Sequence, residues 1–324
     1  MAGAKIIAVH AEAGPEPGEE FCEVLTLGRG LAGALGNTLS AAVLGELSGT
    51  VASTVSSYGV DQLDHIDGDG LDTASIDQRV EALTQWADKA GPKVVLFSQS
   101  FDVRLLAPRL AIRLGASVVM NALAVENTDD GLLVTTAAFG GDTRAVYQMR
   151  GQGPWVVCFN ANAALPETVR EGSEASVKKV TVDLSATDER VRVLDKASAG
   201  GPRLEHAQTI VAGGRGLGDP DNFRLVEELA EALGGMAGAS RPIVDDGWTD
   251  SSHQVGLTGK ITRPGLYIAA GISGASQHMV GCSAAKTLVA INKDPAAAIF
   301  RYARYGIVGD CVEILPELTK AVSS

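Results

Sequence analysis

The residues with the clearest chemical potential lie near the C-terminus, in Leu266-Tyr267-Ile268-Ala269-Ala270-Gly271-Ile272-Ser273-Gly274-Ala275-Ser276-Gln277-His278. An apolar, β-leaning run stops at a glycine, small residues and a serine follow, and a helix-capable segment comes next. Such a turn brings free N–H groups at a helix start up to an anion at the end of a strand. Ser273 and the amides of Gly274 and Ala275 form the predicted phosphate cradle, with Ser276, Gln277 and His278 on the helix start. An isolated histidine is usually a helix-surface or core residue. Beside a phosphate-type loop, an imidazole suggests a redox nucleotide rather than a simple phosphate ester.

Other segments offer matching chemistry. Gly213-Gly214-Arg215-Gly216-Leu217-Gly218 follows one strand signal and precedes a helix signal. It reads either as a flexible strand-to-helix turn or as a loop that holds Arg215 against phosphate. It is not GxGxxG, which speaks against the standard NAD fingerprint. Gly238-Ala239-Ser240-Arg241-Pro242 reads as a constrained loop before an extended Ile243-Val244-Asp245, with Arg241 either solvated or set against an aromatic ring. Gln254-Val255-Gly256-Leu257-Thr258-Gly259-Lys260 offers backbone donors and a hydroxyl, or is a plain hairpin turn. Asn292 ends an apolar strand, and Asp294-Pro295 has the form of a helix start. Asp310, followed by Cys311, ends the final strand signal, where it could meet a ribose or an adenine edge.

These residues need a scaffold of strands alternating with helices. Strands are expected at 5–9, 94–98, 117–125, 155–159, 209–212, 266–270, 287–291 and 306–308. Helices are expected at 19–35, 77–90, 107–114 and from about 221. Thr50–Ser57 is β-branched and reads as extended. Leu132–Phe139 and Arg144–Met149 read as a hairpin around Gly140-Gly141-Asp142. The fold class is α/β with two domains: a mostly parallel N-terminal domain (1–200) and a C-terminal doubly wound domain (201–324), with ligands at the carboxyl ends of its strands. The polar stretch from Glu167 to Pro202, with one strand at 179–184, is the expected hinge.

Bulk properties narrow the function. The chain has 324 residues, 45% hydrophobic and 20% charged, and a net charge of −12. The absence of basic excess argues against a nucleic-acid partner. Neither a signal-peptide pattern nor a membrane-spanning apolar run is present, so direct membrane insertion is not expected. Cys22, Cys158, Cys282 and Cys311 lack metal-type spacing and read as reduced thiols of a cytoplasmic protein, with no metal site.

Taken in order, the segments 213–217, 238–241, 254–260, 266–278, 290–295 and 305–310 resemble the alpha subunit of electron transfer flavoprotein. The resemblance covers nearly all of residues 209–322; the N-terminal half shares only length and α/β character. It implies an FAD held mainly by the C-terminal domain and a heterodimer with a beta subunit that carries AMP or another flavin. It implies an electron carrier rather than an enzyme, with acyl-CoA or other dehydrogenases as donors and a quinone oxidoreductase or similar acceptor. Arg215, Ser240, Ser273, Gly274, Ala275, Gln277, Asn292 and Asp310 match FAD contacts. Arg241, Thr258 and His278 match residues around the isoalloxazine ring, where Arg241 and His278 are expected to favour anionic flavin. Val255 and Leu257 match positions that contact flavin through backbone, with Gln254, Gly256, Ser276 and Cys311 beside them. Leu257 stands where many members have glutamine, Ala298 replaces a common proline, and 280–286 lacks a common acidic residue. Trp248 and Gly309 resemble members linked to electron bifurcation. The competing class is an NAD-dependent dehydrogenase on a doubly wound domain, opposed by the missing GxGxxG and by the lack of an acid–base pair beyond His278.

Overall fold

The computed structural model describes residues 5–11, 18–138, 143–151, 153–161, 163–170, 174–185, 187 and 203–323. The chain divides into two compact units, Met1–Ala137 with Arg144–Ala197, and Ala138–Thr143 with Ser198–Ser324.

In the first unit, nine strands form one sheet. They are β1 (Ile6–His10), β2 (Leu39–Leu44), β3 (Gln62–Asp67), β4 (Val94–Ser98), β5 (Ser117–Thr128), β6 (Gly131–Ala138), β7 (Thr143–Met149), β8 (Trp155–Phe159) and β9 (Ser176–Thr181). Their order is β7-β6-β5-β8-β4-β1-β2-β3-β9. The pairs from β5 through β8, β4, β1, β2 and β3 to β9 are parallel, and β5 pairs antiparallel with β6. The tip of the expected hairpin between β6 and β7 lies outside the described residues.

The helices of this unit are α1 (Glu19–Ala34), α2 (Val51–Ser57), α3 (Ile76–Ala90) and α4 (Phe101–Arg113). Strands β1 and β8 are buried along their whole length, as parallel strands covered on both faces must be. Alternation assigns their residues to two cores. Ile6 and Ala8 pack with Phe21, Leu25 and Leu31 of α1, whereas Ile7 and Val9 pack with Leu83 and Trp86 of α3 and Leu106 of α4.

One sequence expectation fails here, and another is narrowed. Thr50–Ser57 is not extended: Val51 and Val55, four residues apart and fully buried, share one helical face of α2. The polar stretch from Glu167 is not free hinge. Arg29 bonds the Glu167 carbonyl (2.8 Å) and carboxylate (3.0 Å), Arg170 bonds the Ser56 and Val60 carbonyls, and β9 pairs with β3 along its length. The strand itself begins three residues before the expected one. Residues 188–202, the rest of the expected hinge, lie outside the described residues.

The second unit contains β10 (Thr209–Gly213), α5 (Phe223–Ala232), β11 (Met236–Ser240), α6 (Arg241–Asp245), β12 (Gln254–Val255), β13 (Leu266–Ala270), α7 (Ser276–Met279), β14 (Thr287–Asn292), β15 (Tyr305–Val308) and α8 (Cys311–Val322). Its sheet is parallel, in the order β12-β11-β10-β13-β14-β15. The chain winds outward from β10 to β12, returns to the centre at β13, and winds the other way to β15. The strand order therefore reverses between β10 and β13, which is where a doubly wound sheet opens a crevice at its carboxyl ends.

Three local readings are corrected in this unit. Residues 238–240 are strand rather than loop, and Ile243-Val244-Asp245 is helical because Pro242 sits in the first turn of α6. Asp294-Pro295 does not open an α-helix. Asp294 closes a turn on the Ala296 amide (2.9 Å), and a short 3₁₀ segment follows at Ala298–Arg301.

Among the described residues no helix is long and apolar enough to cross a membrane. The four cysteines are free and buried.

Candidate functional site at the carboxyl edge of the second sheet

Each predicted site residue lies at or just past the carboxyl end of a strand in the second unit. Arg215 follows β10, Ser240 ends β11 and Arg241 follows it, and Gly256 to Thr258 follow Gln254 and Val255 of β12. Ser273 to His278 follow β13, Asn292 ends β14, and Asp310 and Cys311 follow β15. Since all six strands run parallel, this places the residues along one edge of one sheet.

At the centre, between β10 and β13, two glycine turns meet backbone to backbone. Gly214 N–H donates to the Ala270 carbonyl and Gly216 N–H to the Gly271 carbonyl, both at 2.9 Å. A Cβ on Gly216 would lie 2.5 Å from the Gly271 Cα, and one on Gly271 would lie 2.7 Å from the Gly216 Cα. Gly271 also has φ +65°, a left-handed conformation that glycine alone adopts without cost. The close approach excludes a side chain at either glycine. Arg215 projects from the turn and pairs with Asp246 (3.1 Å), while 66% of its side chain remains exposed.

The segment after β13 is held from below. Ile299 N–H donates to the Ser273 carbonyl (3.0 Å), the Asn292 amide donates to the Ile272 carbonyl (2.9 Å), and Gly274 (φ +82°) packs directly on the Ile299 backbone. Among the described residues none accepts a hydrogen bond from the amides of Ser273, Gly274, Ala275, Ser276 or Gln277. Five consecutive main-chain donors without a protein partner, under a glycine that no Cβ shields, make a site suited to phosphate oxygens. The helix that follows, α7, is a single turn, so the loop amides carry more of this field than a helix dipole does.

Beside this cradle, Asp310 caps α8 through the Val312 amide (2.9 Å) and pairs with Lys293 (2.7 Å). Lys293 and the amide hold its carboxyl below the usual range. Cys311 is buried, its thiol pushed up by burial, and its Sγ donates to the Gly216 carbonyl (3.4 Å), which ties α8 to the Arg215 turn.

The other end of the edge carries the residues expected around a ring. Ser240 and Gln254 are buried, and the Gln254 amide donates to the Thr258 hydroxyl (2.9 Å). Leu257 N–H donates to the Gln277 carbonyl (2.7 Å), fixing this loop against α7. Gly256 (φ +139°) allows that contact, because a Cβ there would meet the Gln277 carbonyl at 2.9 Å. Arg241 is 61% exposed and uses only Nε on Asp245 (3.1 Å), so its terminal nitrogens remain available.

His278 differs from its expected state. It is 7% exposed, its Nε2 lies 3.0 Å from the Tyr267 hydroxyl, and burial drives its pKa down to about 4. At neutral pH it is an uncharged imidazole and supplies no cationic field. Its Nδ1 is buried near the Val255 carbonyl but short of hydrogen-bond geometry. Tyr267 was not legible as a site residue, because it sits inside an apolar strand eleven positions from the histidine. Asp246 and Lys293, which restrain Arg215 and Asp310, are distant from their partners in sequence, and the i,i+4 pair of Arg241 with Asp245 was missed because 243–245 was read as extended rather than helical.

Comparison with known proteins identifies both halves of the chain. Residues 203–283 match the electron transfer flavoprotein FAD-binding domain, and residues 12–185 match the electron transfer flavoprotein domain, which reaches the half where sequence resemblance had been weak. Electron transfer flavoprotein subunit alpha of Thermoanaerobacterium thermosaccharolyticum is 38% identical over 306 residues, covering 93% of this chain and 92% of that protein. The Bacillus subtilis subunit alpha is 35% identical, with 92% and 91% covered, and protein FixB of Clostridium saccharobutylicum is 36% identical, with 91% and 89% covered. With these matches along its length, the chain belongs to the FAD-binding alpha-subunit family of electron transfer flavoprotein.

Proposed function

We propose that this chain carries electrons between redox proteins, holding FAD at the carboxyl edge of its second sheet and pairing with a beta subunit. The observation that carries the reading is the row of unpartnered amides from Ser273 to Gln277 beside the Gly214–Gly216 and Gly271 contact. Arg215, Ser273, Gly274, Ala275, Ser276, Gln277, Asn292 and Asp310 would hold the phosphate and ribose portions. Ser240, Arg241, Gln254 to Thr258 and His278 would line the ring, with Cys311 behind the Arg215 turn. Bound FAD supplies the redox chemistry, and the residues here bind it, orient it and set its electrostatic surroundings.

The donors in this reading are acyl-CoA or other dehydrogenases, the acceptor is a quinone oxidoreductase or a similar protein, and the setting is the cytoplasm. Bifurcation depends on the partner subunit, and Trp248 and Gly309 alone do not decide it. The dehydrogenase alternative is disfavoured by His278. Buried, neutral and tied to Tyr267, it is poorly placed to exchange a proton with a substrate.

The test is to co-purify the full chain with its beta subunit and record the visible spectrum. Flavin bands that bleach on addition of a donor dehydrogenase and its substrate support the carrier. A colourless complex that oxidises a substrate with NAD supports the alternative. Within the carrier reading, Arg241→Ala should leave FAD bound and make its one-electron potentials more negative, because a cation near the ring favours the reduced, more negative forms. The effect expected of a partly solvated cation–π contact is about 1 kcal/mol. A potentiometric titration giving unchanged potentials removes Arg241 from this role.

A further inference from the structure

Tyr267 is fully buried in β13, and its hydroxyl meets His278 Nε2 at 3.0 Å. A buried phenol needs a hydrogen-bond partner, and two proton arrangements could provide one. In the first, the phenol donates to a bare Nε2 and the imidazole proton sits on Nδ1, facing the Val255 carbonyl. In the second, Nε2–H donates to the phenol oxygen, and a bare Nδ1 lone pair is buried against that carbonyl. The second arrangement sets two acceptors against each other and leaves the phenol proton to the weak acceptor Cys282, whose own thiol donates to the His278 carbonyl (3.7 Å).

We infer that Tyr267 is the positioning residue for His278: by donating to Nε2 it fixes the Nδ1–H tautomer and the orientation of the imidazole in the wall of the site. The consequence for flavin rests on the FAD reading above, whereas the tautomer itself does not. Among the described residues, two titratable side chains bond His278. Tyr267 presents from β13 and Cys282 from the turn after α7. In the neighbouring 254–260 loop, Gln254 and Thr258 are uncharged and bond each other, and Lys260 pairs with Glu205 (2.7 Å). Burial of both partners holds His278 uncharged, in keeping with its low pKa. The field this residue presents to a bound flavin should then be constant in pH.

The experiment uses the full chain with its beta subunit, labelled with ¹⁵N histidine, and His278→Asn to assign the signal. The wild type should show one protonated Nδ1 and one bare Nε2, unmoved from pH 5.5 to 8. In Tyr267→Phe, the Nδ1–H preference should fall about fivefold to tenfold, the range expected for loss of one net hydrogen bond. A wild-type Nε2–H tautomer, a wild-type His278 that titrates in the window, or an unchanged tautomer ratio in Tyr267→Phe overturns the inference. If Tyr267→Phe does not fold, the wild-type tautomer decides alone. A colourless complex would refute the FAD reading while leaving the tautomer measurable.

Discussion

Gly271→Ala is expected to destabilise the second unit by about 3 kcal/mol and to abolish FAD retention. Two costs combine. A non-glycine residue at φ +65° costs about 1–2 kcal/mol. The added methyl also meets the Gly216 Cα at 2.7 Å and carbonyl carbon at 2.8 Å, and backbone cannot rotate away as a side-chain tip can. Overpacking of that kind costs about 1–3 kcal/mol. The relief available, separation of the β10 and β13 turns, breaks the hydrogen bond from Gly216 to Gly271 and distorts the crevice itself. Gly218→Ala is the control. Gly218 has φ +79° with open space around its Cβ position, so it pays only the backbone cost. Thermal unfolding of the full chain should show a drop of roughly 10 °C for Gly271→Ala and a smaller one for Gly218→Ala. Equal losses for the two variants would show that the crevice contact is not what glycine serves here.

Acid should destabilise both units before any carboxylate titrates. His10 at the end of β1 and His278 are each buried, and burial lowers each pKa from 6.5 to about 4. His10 Nε2 lacks a hydrogen-bond partner, and its ring packs on Phe21 at 5.4 Å. The sign follows from proton counting. Between pH 6.5 and 4 the unfolded chain binds a proton at each histidine and the folded chain does not, so stability falls as pH falls. At 1.36 kcal/mol per unit, each histidine costs about 2 kcal/mol by pH 5 and about 3 kcal/mol by pH 4. Asp67, Glu205 and Asp310 have lowered values instead. Their contributions are intact above the unfolded carboxylate range and are lost only below it, so they do not confuse the window from pH 7 to 5. Urea unfolding at pH 7 and pH 5 should therefore show the loss, and His10→Asn should remove the part belonging to the first unit. Stability that stays flat over this window, or a variant with the wild-type slope, contradicts the burial of neutral imidazoles.

The parts of this molecule that could be read from sequence are those encoded by adjacency. An apolar run ending in a polar residue, often after a glycine, marks a strand's carboxyl end, and the pattern put Arg215, Ser273, Asn292 and Asp310 at strand ends without any structure. It did not reveal what restrains them, because Asp246, Lys293 and Tyr267 approach from elsewhere in the sequence. Strand β3 escaped notice for a related reason. Its Asp64 looks solvent-facing, yet it is buried and accepts from Trp86 Nε1 (3.0 Å) on α3, a contact that only the packed fold supplies. His278 shows the limit most clearly. Its position was legible, but its charge depends on burial and on Tyr267, neither of which spacing encodes.

The most direct measurement is a crystal structure of the full chain with its beta subunit and FAD. The pyrophosphate should lie on the Ser273–Gln277 amides, over the Gly216 and Gly271 contact, with the ring toward Arg241, Thr258 and His278. Flavin density away from the carboxyl ends of β10 and β13, or a pyrophosphate that leaves those amides unengaged, would contradict the site described here.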